Sequence, residues 1–213
     1  MNTNPNAKKI LCYGDSNTYG RIPGAERRRY PTNVRWTGVL QDLLGGDYEV
    51  IEEGLGGRTT VIDDGDGSAR NGLKYLLPCI ESHAPIDFFV VCLGTNDLKE
   101  RFALSAEQIA ANFERLLSEA MRKFKDEQGR IPEVIVMAPP LVDESVPTTQ
   151  ERYIGAEAKS KQLGELYQRL ATKYEAKFLD LAQLVIPSKD DGYHLDEASH
   201  RKVAEDLAKL LGS

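Results

Sequence analysis

The chain has 213 residues, 41 % of them hydrophobic and 28 % charged, with 27 Lys and Arg against 33 Asp and Glu. A chain of that length buries roughly 70 % of its unfolded surface, and the balance excludes disorder, collagen-like repeats and a disulfide scaffold. A net charge of -6 offers no electrostatic footprint for phosphate backbones or anionic lipid, so neither nucleic acid nor a membrane is an expected partner.

Short apolar runs alternate with longer amphipathic segments, the signature of parallel βαβ units. The expected fold class is α/β, a three-layer α/β/α sandwich on a central five-stranded parallel sheet, in one domain spanning residues 1–213. The polar residues 1–6 lead straight into the first strand pattern, over residues 10–13, with no apolar leader, and a cytoplasmic protein is expected. After this strand comes Gly14-Asp15-Ser16-Asn17-Thr18, then a long loop over residues 21–35. That loop carries Arg27, Arg28 and Arg29, expected as a solvated face, with an anion-attracting rim as the alternative. A helix is predicted over residues 37–44 and a second strand over 50–53, followed by Gly54-Leu55-Gly56-Gly57-Arg58-Thr59-Thr60. The acidic cluster Asp63-Asp64-Gly65-Asp66-Gly67 lacks the carboxylate that a calcium loop needs at its twelfth position and reads as a solvated turn.

A helix over residues 73–82 leads to a third strand over 88–93, whose apolar run is far short of the ~20 residues that cross a bilayer. Gly94-Thr95-Asn96-Asp97 follows it. Behind Ser105 as N-cap, Ile109, Phe113, Leu116, Leu117, Ala120 and Phe124 recur at helical spacing over residues 106–125. A fourth strand over 134–138 opens into a second long loop over 139–152, then come a helix over 157–174, a strand over 178–181 and a last helix over 197–211 capped by Asp196. Loops beyond the carboxyl ends of parallel strands form the ligand crevice, and both long loops leave from that edge. Cys12, Cys79 and Cys92 lie in apolar runs without metal or redox spacing and are expected as buried free thiols.

Ser16 stands where a strand turns sharply toward a helix, which exposes its hydroxyl; to become a nucleophile it needs a base. Three histidines are candidates. His83 ends a helical pattern, where an imidazole meets terminal carbonyls, and His200 lies among polar neighbours as a surface residue. By elimination the base is His194, in the loop Asp191-Gly192-Tyr193-His194, where a tight turn could aim the carboxylate at one ring nitrogen. A base must be neutral to take a proton, so activity that depends on His194 should rise through the ordinary histidine range of about 6 to 7. Asn96 offers a neutral amide donor to an oxyanion, and the glycines after the second strand let a backbone N–H approach a ligand.

In chain order these four blocks resemble those of the GDSL or SGNH hydrolase family, over nearly the whole chain. The resemblance implies a flavodoxin-like SGNH hydrolase fold, with Ser16 as nucleophile, His194 as general base and then acid, and Asp191 orienting it. It implies an oxyanion hole made of the backbone N–H groups of Ser16 and Gly57 and the side-chain amide of Asn96. Arg35-Trp36-Thr37-Gly38, Glu52-Glu53-Gly54-Leu55 and Arg58-Thr59-Thr60 resemble the aryl esterase and acyltransferase branch that prefers short acyl groups. That likeness implies small ester substrates, substrate-binding roles for Trp36 and Arg21, no cofactor and no metal, and homo-oligomers whose neighbouring loops narrow the active-site entrance. Asn17 stands where leucine is usual, and Arg21 where some relatives carry an aromatic residue lining the acyl pocket.

Other readings compete. A thioesterase or lysophospholipase of the same family is one, and a ligand-binding domain in which Ser16, Asn96 and the 191–194 turn merely cap helices is another. Nucleotide binding would start from Gly54-Leu55-Gly56-Gly57, but the GxGxxG spacing fails at Thr59. The G-x-S-x-G elbow of α/β-hydrolases is broken by Thr18.

Overall fold

The computed structural model describes residues 2–25, 27–65 and 69–212. Five strands, β1 (Lys8–Gly14), β2 (Tyr48–Gly54), β3 (Phe88–Cys92), β4 (Glu133–Ala138) and β5 (Lys177–Asp180), pair in parallel in the order β2-β1-β3-β4-β5. The apolar run of β3 is buried throughout, whereas β2 and β5, at the sheet edges, are half-buried. The helices are α1 (Ser16–Tyr19), α2 (Trp36–Leu44), α3 (Gly72–His83), α4 (Ala106–Gln128), α5 (Ala156–Lys173), α6 (Leu181–Leu184) and α7 (Glu197–Leu211).

Strand side chains alternate between faces, and this splits the core in two. Leu11, Tyr13, Phe89, Val91 and Val136 pack with α3, α4 and α5, while Ile10, Cys12, Val90, Ile135 and Met137 pack with α2 and α7. Each fully buried side chain of the Phe113 kind contributes about 1.5–3 kcal/mol. The layers are those of the expected α/β/α sandwich. All three cysteines are buried and free, and no helix among the described residues is long and apolar enough to cross a membrane.

Local chemistry sets the boundaries. Ser105 and Gln108 form a reciprocal capping box at the start of α4, and Asp196 accepts from Ser199 N at 2.8 Å at the start of α7. Asn71 caps α3 by accepting from Lys74 N at 3.1 Å. The fifth strand stops at Asp180 rather than residue 181, because the Asp180 carboxylate accepts from Ala182 N at 3.0 Å and starts α6. Both α1 and α6 span four residues, too few for periodicity to reveal.

His200 corrects the sequence expectation. It is fully buried, because α7 packs on α2, and its Nδ1 accepts from Trp36 N at 3.3 Å. Burial pushes its pKa down to about 4, so the ring is neutral.

The strand order places the site. β1 is followed by its outer neighbour β2, and the chain then returns to β3 on the other side of β1. Such a reversal opens a crevice at the carboxyl ends of the strands beside it.

Candidate active site

β1 runs directly into α1. Asp15 caps this short helix, its carboxylate accepting from Asn17 N at 2.9 Å, and Ser16 becomes the first helical residue. Gly54 makes the arrangement possible: a Cβ there would stand 2.2 Å from Tyr19 N, so only glycine lets the end of β2 pass this close to α1.

The structure brings Ser16, His194 and Asp191 together across the chain. Ser16 Oγ lies 2.8 Å from His194 Nε2, and His194 Nδ1 lies 2.6 Å from Asp191 Oδ2. Asp191 also accepts from Gly24 N at 3.0 Å and from His194 N at 3.1 Å. Burial alone would raise the Asp191 pKa, but the hydrogen bond and charge of His194, with the backbone donors, outweigh it and hold the carboxyl below its ordinary range. An ionised Asp191 fixes the tautomer that carries its proton on Nδ1, leaving Nε2 free to accept from Ser16.

Asn17 is the functional residue that sequence reasoning passed over. Its Oδ1 accepts from Leu195 N at 3.0 Å and its Nδ2 donates to Tyr193 O at 3.1 Å. One amide therefore grips the main chain on both sides of His194 and ties the base to the residue next to the nucleophile. The signal was present as the departure from leucine at this position, which has no such pair of polar groups.

The three expected oxyanion donors gather at the ends of β1, β2 and β3. Gly57 adopts a φ of +82°, and a Cβ at Gly56 would lie 4.0 Å from Ser16 Cβ, so this turn rests against the serine. Arg58 clamps it from behind, donating to Gly14 O at 2.7 Å and to Glu53 O, with its guanidinium 4.1 Å from the Tyr13 ring centroid. Asn96 is buried, with Nδ2 donating to Arg58 O at 3.0 Å and 3.4 Å from Asp15 Oδ2. Ser16 and Gly57 line the cleft, and the Asn96 amide is tied to the turn through Arg58 O.

The cleft measures about 510 Å³, with Tyr19, Leu55, Tyr153 and Tyr193 as walls. Arg21 is among the residues that line it. Trp36 is not: it opens α2 and is 2 % exposed, packed with Val39 and Leu40 in the core between the sheet and the α2 and α7 helices. Its part is structural, and the substrate-binding expectation is corrected. The arginine run also divides. Arg27 lines the cleft, Arg28 is exposed, and Arg29 donates to Tyr19 O at 2.5 Å and pairs with Glu52 on β2. Arg35 and Thr37 bond the same Glu52, anchoring the loop to the sheet edge.

His83 does not cap carbonyls; its Nε2 lies 3.0 Å from Glu53 Oε1. With Cys79 these residues place ligand atoms within 4.8 Å of one another, as a metal would need. Tyr75 also donates to Glu53 at 3.1 Å, so the Glu53 carboxylate meets both His83 and Tyr75, while burial and the Glu53 charge push the Cys79 thiol up to about 12. In the acidic turn Asp63 pairs with Lys74 at the surface, and Asp64 is covered by Arg101 rather than solvated. Asp66 and Gly67 lie outside the described residues.

None of the curated proteins compared matches this chain. Among solved structures it is similar to the native M. smegmatis aryl esterase, 38 % identical with a TM-score of 0.90 over 97 % of this chain and 99 % of that one. It is similar to Est24, a carbohydrate acetylesterase from Sinorhizobium meliloti, at 33 % identity and a TM-score of 0.90 over 96 % and 98 % of the two chains. A lipolytic G-D-S-L family member from Veillonella parvula, 14 % identical with a TM-score of 0.70 over 97 % and 99 %, shares the fold alone. Residues 12–202 match the GDSL-like lipase/acylhydrolase family, a span that holds Ser16, Asn96, Asp191 and His194. Fold, match and strand-end constellation agree, and the chain belongs to the GDSL-like lipase/acylhydrolase family.

Proposed function

We propose that this carboxylic ester hydrolase cuts short-chain, acetyl-type esters of aryl, alkyl or sugar alcohols by double displacement, with Ser16 as nucleophile. The observation that carries the reading is the unbroken chain from Ser16 Oγ through His194 to Asp191, at 2.8 and 2.6 Å. His194 takes the hydroxyl proton as Oγ attacks the ester carbonyl, and the tetrahedral oxyanion is held by the N–H groups of Ser16 and Gly57 with Asn96. The alcohol leaves with the proton from His194. Water then attacks the acyl-enzyme through the same base and frees the acid. No residue in this cycle requires a cofactor. The aryl esterase and carbohydrate acetylesterase similarities support a small acyl group.

Where an alcohol or peroxide replaces water, the acyl group passes to it, so acyl transfer and perhydrolysis are partitions of one intermediate. We also read the protein as cytoplasmic, which the three buried free thiols support, and as a homo-oligomer, a reading that rests on the branch resemblance and that light scattering tests.

Initial rates on p-nitrophenyl esters from acetyl to octanoyl, with wild type beside Ser16→Ala, test the function. Rates should fall steeply beyond butanoyl and drop at least about a thousandfold in the variant. Rates that climb with chain length would favour a thioesterase or lysophospholipase, and an inactive wild type a ligand-binding domain.

A further inference from the structure

A chain of net charge -6 lines its cleft with five cationic side chains, Arg21, Arg27, Arg70, Lys99 and Arg152, and with no carboxylate among the described residues. They arrive from separate places: the loop after α1, the segment before α3, the turn after β3 and the loop before α5. Many cations elsewhere are paired, as in Arg29 with Glu52, Arg101 with Asp64, Arg130 with Asp87 and Lys189 with Asp143. None of the five cleft cations has an ion-pair partner among the described residues. The adjoining recess carries Glu151 and Asp191, and Asp191 is already taken by His194 and Gly24.

Lys99 is the most telling of the five. Only 9 % of it is exposed, and no side-chain hydrogen bond holds its ammonium among the described residues. Burial and the like charges of Arg101 and Arg152 push its pKa below the lysine range, against the pull of Asp64 and Asp15. A cation held largely out of water without a counter-ion is costly, and that cost falls when an anion enters. Arg70 sits at the other key point: a Cβ on Gly57 would lie 3.8 Å from its Cδ and 3.9 Å from its Nε. Its guanidinium therefore borders the turn that faces the reacting carbonyl.

We propose that the ester substrate carries an anionic group, a carboxylate or a phosphate monoester, which Lys99, Arg70 and Arg152 bind while Ser16 attacks the acyl carbonyl, with Arg21 and Arg27 drawing it to the cleft. This rests on the esterase function proposed above and names the substrate class of the same site. Guanidinium groups donate in bidentate fashion to both anions, and a cationic cleft in an acidic protein focuses the field where the substrate enters.

Two measurements test it. The first compares kcat/KM for 4-acetoxybenzoate and 4-acetoxyphenyl phosphate with that for neutral 4-acetoxybenzamide, each corrected for its rate of alkaline hydrolysis. At low ionic strength at least one anionic ester should be preferred about tenfold or more, and the preference should shrink with added salt and in Lys99→Gln and Arg152→Gln. Arg115→Gln, an equal charge change on the exposed face of α4, should leave the ratio unmoved. The phosphate and carboxylate arms say which anion the cleft takes. Equal rates on all three esters overturn the proposal and leave the esterase function standing. The second is the thermal midpoint of wild type and Lys99→Gln in millimolar phosphate and succinate. A midpoint raised in wild type and unmoved in the variant supports the anion site even if no ester is cut; no rise in either protein overturns it.

Discussion

Two regions meet at the cleft and are built on opposite plans. The 188–195 turn is closed: Asp191 accepts from four donors, Asn17 grips both flanks of His194, Ser188 N donates to His194 O at 2.9 Å, and Asp143 N donates to Gly192 O at 2.8 Å. The cationic rim is open, its charged groups brought together without ion-pair partners among the described residues. Satisfied polar groups hold geometry, and unsatisfied charges wait for a ligand. One cleft thus keeps its chemistry rigid and leaves its recognition to whatever enters.

The contrast breaks first at the triad. His194→Ala should lower kcat by about ten-thousandfold or more, and Asp191→Asn by a comparable factor, because the amide would favour the wrong tautomer. Steady-state kinetics beside a thermal melt separates this from unfolding; a loss below about tenfold for either variant removes it from the mechanism.

Asn17→Ala comes next. It strands the Tyr193 carbonyl and the Leu195 N–H in a buried site, at a cost of about 1–3 kcal/mol. Letting His194 drift should also reduce kcat about 10- to 100-fold with KM less affected. Denaturant unfolding and a kcat-against-KM comparison check both parts, and a change in KM alone would show that Asn17 acts on binding instead.

On the pH axis two buried groups pull in opposite directions. His200, with its pKa near 4, contributes stability that is present above the ordinary histidine range and lost as pH falls through about 4. Asp97, held by Thr60 N–H and hydroxyl, is raised by burial to about 7; its contribution is present below the ordinary carboxylate range and lost as pH rises through about 7. Each swing amounts to about 1.4 kcal/mol for every pH unit of displacement. Melting curves across pH should therefore flatten on the acid side in His200→Phe and on the neutral side in Asp97→Asn; unchanged slopes would assign the pH dependence to other groups.

The rim should give the smallest change in stability. Arg152→Gln is expected to alter unfolding free energy by no more than about 0.5 kcal/mol, since no side-chain partner among the described residues is lost. A loss of several kcal/mol would mean that the rim is as closed as the turn.

The strands and long helices were legible because burial imposes a period of two or 3.6 on neighbouring residues, as in β3 and in the α4 series from Ile109 to Phe124. Ser16, Asp191 and His194 were legible too, each standing in a short segment whose local turn carries its own residue signature. What local sequence could not show was which side of the sheet a residue meets. Trp36 and His200 read as ligand and surface groups, but the packing of α7 on α2 buries both. Asn17 spans 178 positions to reach Leu195, and the five cleft cations come from segments between residues 21 and 152. Period and turn chemistry act over a few residues and are written along the chain; charge meeting charge, or an amide meeting a distant backbone, depends on distances that exist only once the sheet has brought its strand ends together.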